Sequence, residues 1–455
     1  MSAQITPLGH LAHCEIEGLF GSRKIAFEAA VDGPTLLYGT NGAGKSTVLR
    51  LIDDVAHARW NTILVRPFAK ITLRFRSGGR LVVSKDASGL VVVLNDVTWT
   101  ATPEQIAEAR RRLEFRRQRA VEAGRTTLEN RQAALFDAND LDDDSRWILT
   151  IPKLFPVFLI EDQRLVAVSN AHRGPHRQAG LQAAVSRFAS DLRTEIDQAL
   201  GAYAAQSQTL DRLFPMKIAR AVEASEASDD SNASSIDLRE SLDEVQRERS
   251  ELQTVGLLGR EEGPVEFDAA RLEAARLRPV IQTFAEDTLA KFSVLRDLRT
   301  RLQLFSTFLN QHYQGKMVET SREQGFVIRL DDGDVLHASQ LSSGEQQMLA
   351  LAFRILFRSQ PGTLILIDEP ELSLHVVWQS TLIEDLVAMG NARDVTFLLA
   401  THSPTLIGDR ANLMRSLDED EAPSRLADSS VPTSESLFDD GEDDISEFDA
   451  DEDAE

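Results

Sequence analysis

Thiols are almost absent from this sequence: of 455 residues only Cys14 is a cysteine. A single thiol forms no intrachain disulfide and builds no thiolate metal cluster. Long apolar runs are also missing, so nothing reads as a membrane span. The first residues lack the pattern of a signal peptide, and no internal repeat stands out. These absences predict a cytoplasmic protein that makes no use of a membrane. What is present is ordinary for a folded chain, with 42% hydrophobic and 27% charged residues. That is enough for one large core or two moderate ones.

Positive charge is scarce overall, at a net −23, but the deficit is local. Residues 418–455 carry 17 Asp and Glu against one Arg, and so supply −16 of it. The remaining body is only mildly acidic, and bulk charge excludes no class of partner, nucleic acid included. The acidic segment, 416–455, has no hydrophobic periodicity and is expected to be disordered. Three roles stay open for it: solubility, docking of a partner, or mimicry of DNA against a basic surface.

Short apolar runs separated by turns fill the first hundred residues. CEIEGLF, KIAFEAAV and PTLLYG read as strands. KITLRFRSGG and RLVVSKDASGLVVVLND read as hairpin-like units with turns at Gly78-Gly79 and Ser88-Gly89. Helix takes over at Thr102, a capping residue followed by Pro103 at the first helical position and by Gln105, which closes a capping box. The helix is basic, with Arg110, Arg111, Arg112, Arg116, Arg117 and Arg119. Glu104, Glu108 and Glu114 on the same helix fit a plain solvated face equally well. Residues 155–168 return to strand. Helical patterns then cover about 178–222, 236–254 and 268–313, and GFVIRLDDGDVLHA reads as strand and turn. TLILIDEP and DVTFLLATH are unbroken apolar runs of the kind buried in parallel sheets. The plan is α/β. Strand-rich ends fold together as one head, around a helical middle expected to project as a short coiled-coil arm.

Gly39-Thr40-Asn41-Gly42-Ala43-Gly44-Lys45-Ser46 satisfies every fixed position of G-x-x-x-x-G-K-[ST]. An apolar strand, TLLY, precedes it and a helical pattern, STVLRLI, follows. Glycines let backbone N–H groups wrap a phosphate, and the helix N-terminus adds donors. Lys45 would reach the β- and γ-phosphates of ATP, and Ser46, followed by Thr47, would offer a hydroxyl to Mg2+. Leu364–Glu369 is an apolar strand ending in two carboxylates. Asp368 suits Mg2+, and Glu369 suits orienting or deprotonating an attacking water. Leu341-Ser342-Ser343-Gly344-Glu345 lies just upstream. Its small residues and N–H groups at a helix start suit a γ-phosphate, and a simple N-cap with Glu345 in the first turn explains the same residues. His402 follows the strand VTFLLAT, and Gln163 follows the strand of 155–168.

In this order the sequence resembles the ABC-type ATPases, over roughly residues 10–60, 155–220 and 335–410. The resemblance implies that Gln163 is the Q-loop glutamine of the Mg2+ shell, with Asp162 or Glu161 as shifts of register. It implies that LSSGE is the signature motif, that Asp368 and Glu369 form the Walker B pair, and that His402 is the switch histidine contacting the γ-phosphate. ATP would be sandwiched in a homodimer or higher oligomer. Gly39, Asn41, Gly42, Ala43, Gly44, Lys45, Ser46, Thr47, Asp368, Glu369 and His402 of one copy would face Ser342, Ser343, Gly344 and Glu345 of the other.

Most of the chain separates Lys45 from Ser342. Such a split is similar to the SMC-like and RecF-like repair ATPases and to the overcoming-lysogenisation-defect (OLD) ATPases, and unlike transporter subunits. EPELSLH, from Glu369 to His375, sharpens the likeness to OLD-like bacterial ATPases. SQTLDRLFPMKI, at 207–218, resembles a stretch of bacterial defence ATPases of that group. Ser343 stands where transporters usually carry glycine. OLD-type nucleases continue into a Toprim domain after the histidine, and the residues after His402 do not resemble one. The expectation is an ATPase whose nuclease or toxin effector is a separate protein, with DNA or a phage protein as trigger. This is similar to the ATPase partners of the phage anti-restriction-induced system (PARIS) and of Septu-type defence, a toxin–antitoxin-like arrangement. The alternative is an SMC- or RecF-like repair ATPase that clamps DNA, with the arginine-rich helix on its phosphates. The matching division is an N-terminal head lobe at 1–100, a basic helical segment at 101–150 and a Q-loop region at 151–180. A helical arm follows at 181–320, then a C-terminal head lobe at 321–415 and the acidic tail at 416–455.

Overall fold

The computed structural model of the chain describes residues 7–122, 135–136, 141–161, 177–227, 235–259, 277–337, 340–372 and 376–417. Among these, fourteen strands, β1 to β14 in chain order, form three sheets. β1 (Leu11–Leu19), β2 (Arg23–Glu28), β4 (Lys70–Phe75), β5 (Arg80–Asp86), β6 (Gly89–Leu94) and β7 (Val97–Ala101) make a six-stranded antiparallel sheet in the order β2-β1-β4-β5-β6-β7. The two hairpin-like units expected from sequence are therefore parts of one sheet. Cys14 opposite Leu73 and Ile16 opposite Ile71 join them to β1. β7 was not expected, because only Trp99 and Ala101 are buried: Val97, on the same face, is exposed, as are Thr98 and Thr100 on the other.

The sheet that carries the motifs is parallel. β3 (Thr35–Tyr38), β8 (Val157–Glu161), β12 (Leu364–Asp368), β13 (Thr396–Ala400) and β14 (Met414–Ser416) run in the order β14-β3-β13-β12-β8. The two chain ends thus build one α/β head, with β3 held between two strands from beyond residue 390. Both faces of this sheet are covered, which is why its central strands carry unbroken apolar runs such as Leu364–Ile367 and Phe397–Ala400. Leu37, Leu364, Leu366 and Leu398 point into a core shared with the antiparallel sheet and helix α1 (Lys45–Ala56). Leu36, Ile365, Ile367 and Leu399 point into a second core lined by helices from the rest of the chain.

Seven further helices of eight residues or more are described: α2 (Pro103–Glu122), α3 (Arg177–Ala227), α4 (Ser235–Thr254), α5 (Arg278–Ser293), α6 (Arg296–His312), α7 (Ser343–Phe353) and α8 (Val376–Arg393). The box at the start of α2 is formed: the Thr102 N–H donates to Gln105 Oε1 at 2.9 Å, and the Gln105 N–H to Thr102 Oγ1 at 3.3 Å. Arg112 is paired with Glu108 one turn back, while the side chains of Arg116, Arg117 and Arg119 lie outside the described residues. The single helix expected at 268–313 is two helices, and 268–276 lie outside the described residues. Fully buried Leu295 interrupts them at φ −95°, ψ −8°. These angles are near enough to helical that the hydrophobic period runs on unbroken across the joint. β9 (Lys316–Ser321), β10 (Gly325–Leu330) and β11 (Val335–Leu336) follow as a small antiparallel sheet. β9 was also unexpected, since Val318 is its one buried residue.

The helical middle is anchored on the head. Phe188 of α3 stacks on Phe353 of α7, with ring centroids 4.4 Å apart, and Leu192 and Ile196 are buried in the same core. Farther along α3, Asp211 pairs with Lys291 at 2.6 Å and Lys217 with Asp287 at 2.5 Å, lacing α3 to α5. Of the acidic segment only Ser416, in β14, and Leu417 are among the described residues. No described helix is long and apolar enough to cross a membrane.

Candidate nucleotide-binding site

The C-terminal edge of a parallel sheet gathers whatever its strands carry at their ends. Here β3 ends in the loop 39–44, β12 in Asp368 and Glu369, and β13 in Thr401 and His402. The loop turns through two left-handed glycines, Gly42 at φ 87° and Gly44 at φ 101°. A β-carbon on Gly42 would meet nothing within 4 Å, so that side of the loop is open. One on Gly44 would press at 3.1 Å on the ring of Phe20 and at 3.2 Å on Leu19. Asn41 and Gly42 are exposed, whereas Gly39, Ala43 and Lys45 are buried. Ser46 and Thr47 are half-buried in the first turn of α1.

Lys45 extends back along its own loop. Its Nζ donates to the carbonyls of Gly39 at 2.6 Å and Thr40 at 3.2 Å, and lies 3.4 Å from His402 Nδ1. Ser46 Oγ donates to Asp368 Oδ1 at 2.8 Å across 322 residues of sequence. Lys45, Ser46, Asp368 and His402 therefore stand together. Glu369 follows Asp368 directly, with φ 51° and its N–H bound to Ala400 O at 2.8 Å. A hydroxyl and a carboxylate at hydrogen-bond distance are hard oxygen donors of the type Mg2+ takes. Open backbone N–H groups at a helix N-terminus suit phosphate. The residues present thus fit a nucleoside triphosphate with Mg2+.

The serine-glycine stretch is placed differently. Ser342 caps α7: its Oγ accepts from the Glu345 N–H at 3.3 Å, and the Ser342 N–H donates to Glu345 Oε2 at 2.8 Å. Ser342 and Ser343 are exposed and Gly344 is half-buried. Glu345 is buried and is held from the other side by Lys316 Nζ at 2.6 Å, while the Tyr313 hydroxyl donates to the Glu345 carbonyl at 2.6 Å. Burial alone would push the Glu345 carboxyl up. The bonds from Lys316 and Ser342 outweigh that and hold it below the ordinary carboxylate value. The capping reading holds, and it leaves Ser342 and Ser343 exposed at the start of α7. Gln163 and Asp162 lie outside the described residues, as do Ser373, Leu374 and His375.

Two neighbours of the loop escaped the sequence reading. Phe20, at φ 53° in the turn between β1 and β2, is 49% exposed although it rests against Gly44. Arg23 Nη1 donates to the Ala43 carbonyl at 3.2 Å. The available signal was an aromatic immediately before Gly21 in a strand turn, which periodicity does not single out.

No curated protein sequence matches the chain. Among solved structures it is similar to the Smc head domain with an extended coiled coil bound to the C-terminal domain of ScpA, derived from Pyrococcus furiosus. That match has 15% identity and a TM-score of 0.38, and covers 88% of this chain and 91% of the other. It is similar as well to the Smc head domain with a coiled coil and joint from Pyrococcus yayanosii, at 14% identity and TM-score 0.38, with 88% and 93% covered. A third is the SMC head domain from Thermotoga maritima, at 13% identity and TM-score 0.36, with 90% and 94% covered. The family described as "AAA domain, putative AbiEii toxin, Type IV TA system" matches residues 35–408, and the chain belongs to that family.

Proposed function

We propose that this protein binds ATP with Mg2+ and hydrolyses it, and that the cycle controls a partner protein. The observation that carries the reading is the convergence of Lys45, Ser46, Asp368 and His402 at one edge of the parallel sheet. Lys45 and the backbone of 39–44 hold the phosphates, and Ser46 and Asp368 hold the metal, with Gln163 as a further ligand. Phe20 offers the base an aromatic face. Bound Mg2+ supplies charge neutralisation for phosphoryl transfer. Glu369 orients or deprotonates the attacking water, and His402 donates toward the terminal phosphate. Ser342, Ser343, Gly344 and Glu345 complete the site of a second copy, so the active form is a homodimer or larger.

The family's description and the EPELSLH stretch support a defence or toxin–antitoxin setting. The effector is then a separate nuclease or toxin that the ATPase scaffolds and releases when DNA or a phage protein triggers it. The ATPase is tested directly. Lys45→Ala should lose ATP binding, and Glu369→Gln should bind ATP while hydrolysis slows about a hundredfold or more. Tight binding by Lys45→Ala overturns the loop assignment, and an unchanged turnover by Glu369→Gln removes Glu369 from its role. Co-purification of Glu369→Gln with the products of neighbouring genes tests the effector. A nuclease or toxin recovered in stoichiometric amount supports it, and recombination proteins with DNA in its place reject it.

A further inference from the structure

The turn leaving β12 carries a second glutamate. Glu371 lies two residues beyond Glu369, and its side chain folds back across the sheet edge to the end of β13. There Glu371 Oε1 accepts two hydrogen bonds, from Thr401 Oγ1 at 2.9 Å and from the His402 backbone N–H at 2.7 Å. Thr401 is fully buried, whereas His402 is exposed. The Ser403 N–H donates to Thr401 Oγ1 at 3.0 Å, and Ser403 Oγ donates to Gln379 Oε1 at 2.8 Å. Gln379 Nε2 returns to the Glu371 carbonyl at 3.4 Å. Glu371, Thr401, Ser403 and Gln379 close a ring of hydrogen bonds at the base of the histidine, two of its links running through the Ser403 N–H and the Glu371 carbonyl.

Two further observations separate this ring from ordinary loop packing. Glu371 Oε2 is buried, and among the described residues it has no hydrogen-bond partner. Burying one carboxylate oxygen unpaired is costly, and a neutral side chain would close the turn with less penalty. The acid is therefore placed for its stronger bonds at Oε1, since a charged acceptor fixes a backbone N–H more firmly than a neutral one. The same turn also reaches the signature helix, because Gln347 Nε2 of α7 donates to the Leu372 carbonyl at 3.5 Å. Leu372 itself is exposed.

We propose that Glu371 is the positioning residue of His402: its carboxylate clamps the Thr401–His402 peptide so that the imidazole stays beside Lys45, and it ties that placement to the turn that also contacts α7. The proposal rests on the ATPase reading of the site, but its first test does not. In the nucleotide-free full-length protein, amide hydrogen exchange over 400–408 should be faster in Glu371→Ala than in the wild type, by about tenfold at His402. Glu371→Gln keeps an acceptor oxygen without the charge and should exchange at a rate between those of the wild type and Glu371→Ala. With ATP, Glu371→Ala should bind within about twofold of the wild type and lose about ten- to a hundredfold in kcat, as a misplaced catalytic group does. Glu371→Gln should recover part of that rate, because its amide oxygen still accepts from the His402 N–H. The double variant Glu371→Ala with His402→Ala should be no slower than His402→Ala alone. If Glu371→Ala fails to fold, Thr401→Val, which removes one of the two donors, carries the same comparisons at smaller amplitude. Unchanged exchange at His402, or losses that add in the double variant, overturn the proposal. A wild type that binds no ATP overturns the proposed function, while the exchange measurement still decides whether Glu371 holds the His402 peptide.

Discussion

Replacing Glu369 with glycine should make the protein more stable and catalytically dead. Glu369 sits at φ 51°, in the left-handed region, immediately after β12. Its N–H is fixed to Ala400 O at 2.8 Å, so the neighbouring strand holds the turn in that conformation. A β-carbon at such a φ costs ~1–2 kcal/mol relative to glycine. Glycine returns ~0.5–1 kcal/mol of that through the greater freedom of its unfolded chain. The balance leaves Glu369→Gly more stable than the wild type by ~0.5–1 kcal/mol. Glu369→Ala keeps the β-carbon and should gain nothing. Both variants lack the carboxylate and should hydrolyse ATP about a hundredfold more slowly or worse. Urea melts of the nucleotide-free proteins, compared at a common slope, give the stabilities, and phosphate release gives the rates. A glycine variant no more stable than the alanine variant refutes the strain. Wild-type turnover by either variant refutes the role given to the side chain. The expected pattern is that of a residue kept in an unfavourable conformation because the site needs its carboxylate there.

Phe20→Ala should weaken ATP binding several-fold while leaving the affinity for inorganic triphosphate unchanged, because the ring, which lies against Gly44, carries no hydrogen-bond donor for a phosphate; equal losses for both ligands would place Phe20 in the loop's folding and not in base recognition. Glu345 gives a pH dependence. Its folded carboxyl lies below the ordinary value, so its contribution is complete above that value and is lost as pH falls through the folded one. The stability difference between wild type and Glu345→Gln, followed from about pH 7 down to about pH 3, should therefore stay constant and then shrink at the acid end. A difference that is the same at both ends would mean that Lys316 and Ser342 do not hold a charged Glu345.

Much of the site was legible because its parts are local. The phosphate loop is a contiguous pattern between an apolar strand and a helix, and β12 and β13 announce themselves by the unbroken apolar runs Leu364–Ile367 and Phe397–Ala400. The pairing of Ser46 with Asp368 spans the chain, and no local pattern implies it. It followed from the order of motifs in a familiar class. β7 and β9 were missed because each buries too few residues to alternate clearly. The joint at Leu295 was missed because it keeps near-helical angles. Phe20 and Glu371 are placed by turns, and an exposed phenylalanine or a turn glutamate has no periodic signature.

The position of β3 has a consequence for how the protein is made. Its two neighbours, β13 and β14, leave the ribosome long after it does. At ~5–20 residues per second that delay is roughly twenty seconds to a minute. The antiparallel sheet of β1, β2 and β4–β7 is contiguous enough in sequence to fold during that interval. β3 is not, and Leu36 and Leu37 wait in the nascent chain without the strands that bury them. An apolar strand left unpaired in this way is prone to aggregation until its neighbours emerge. The chain also cannot assemble Ser46 with Asp368 before β12 has emerged, so the proposed metal pair forms only once a further 322 residues have followed the phosphate loop.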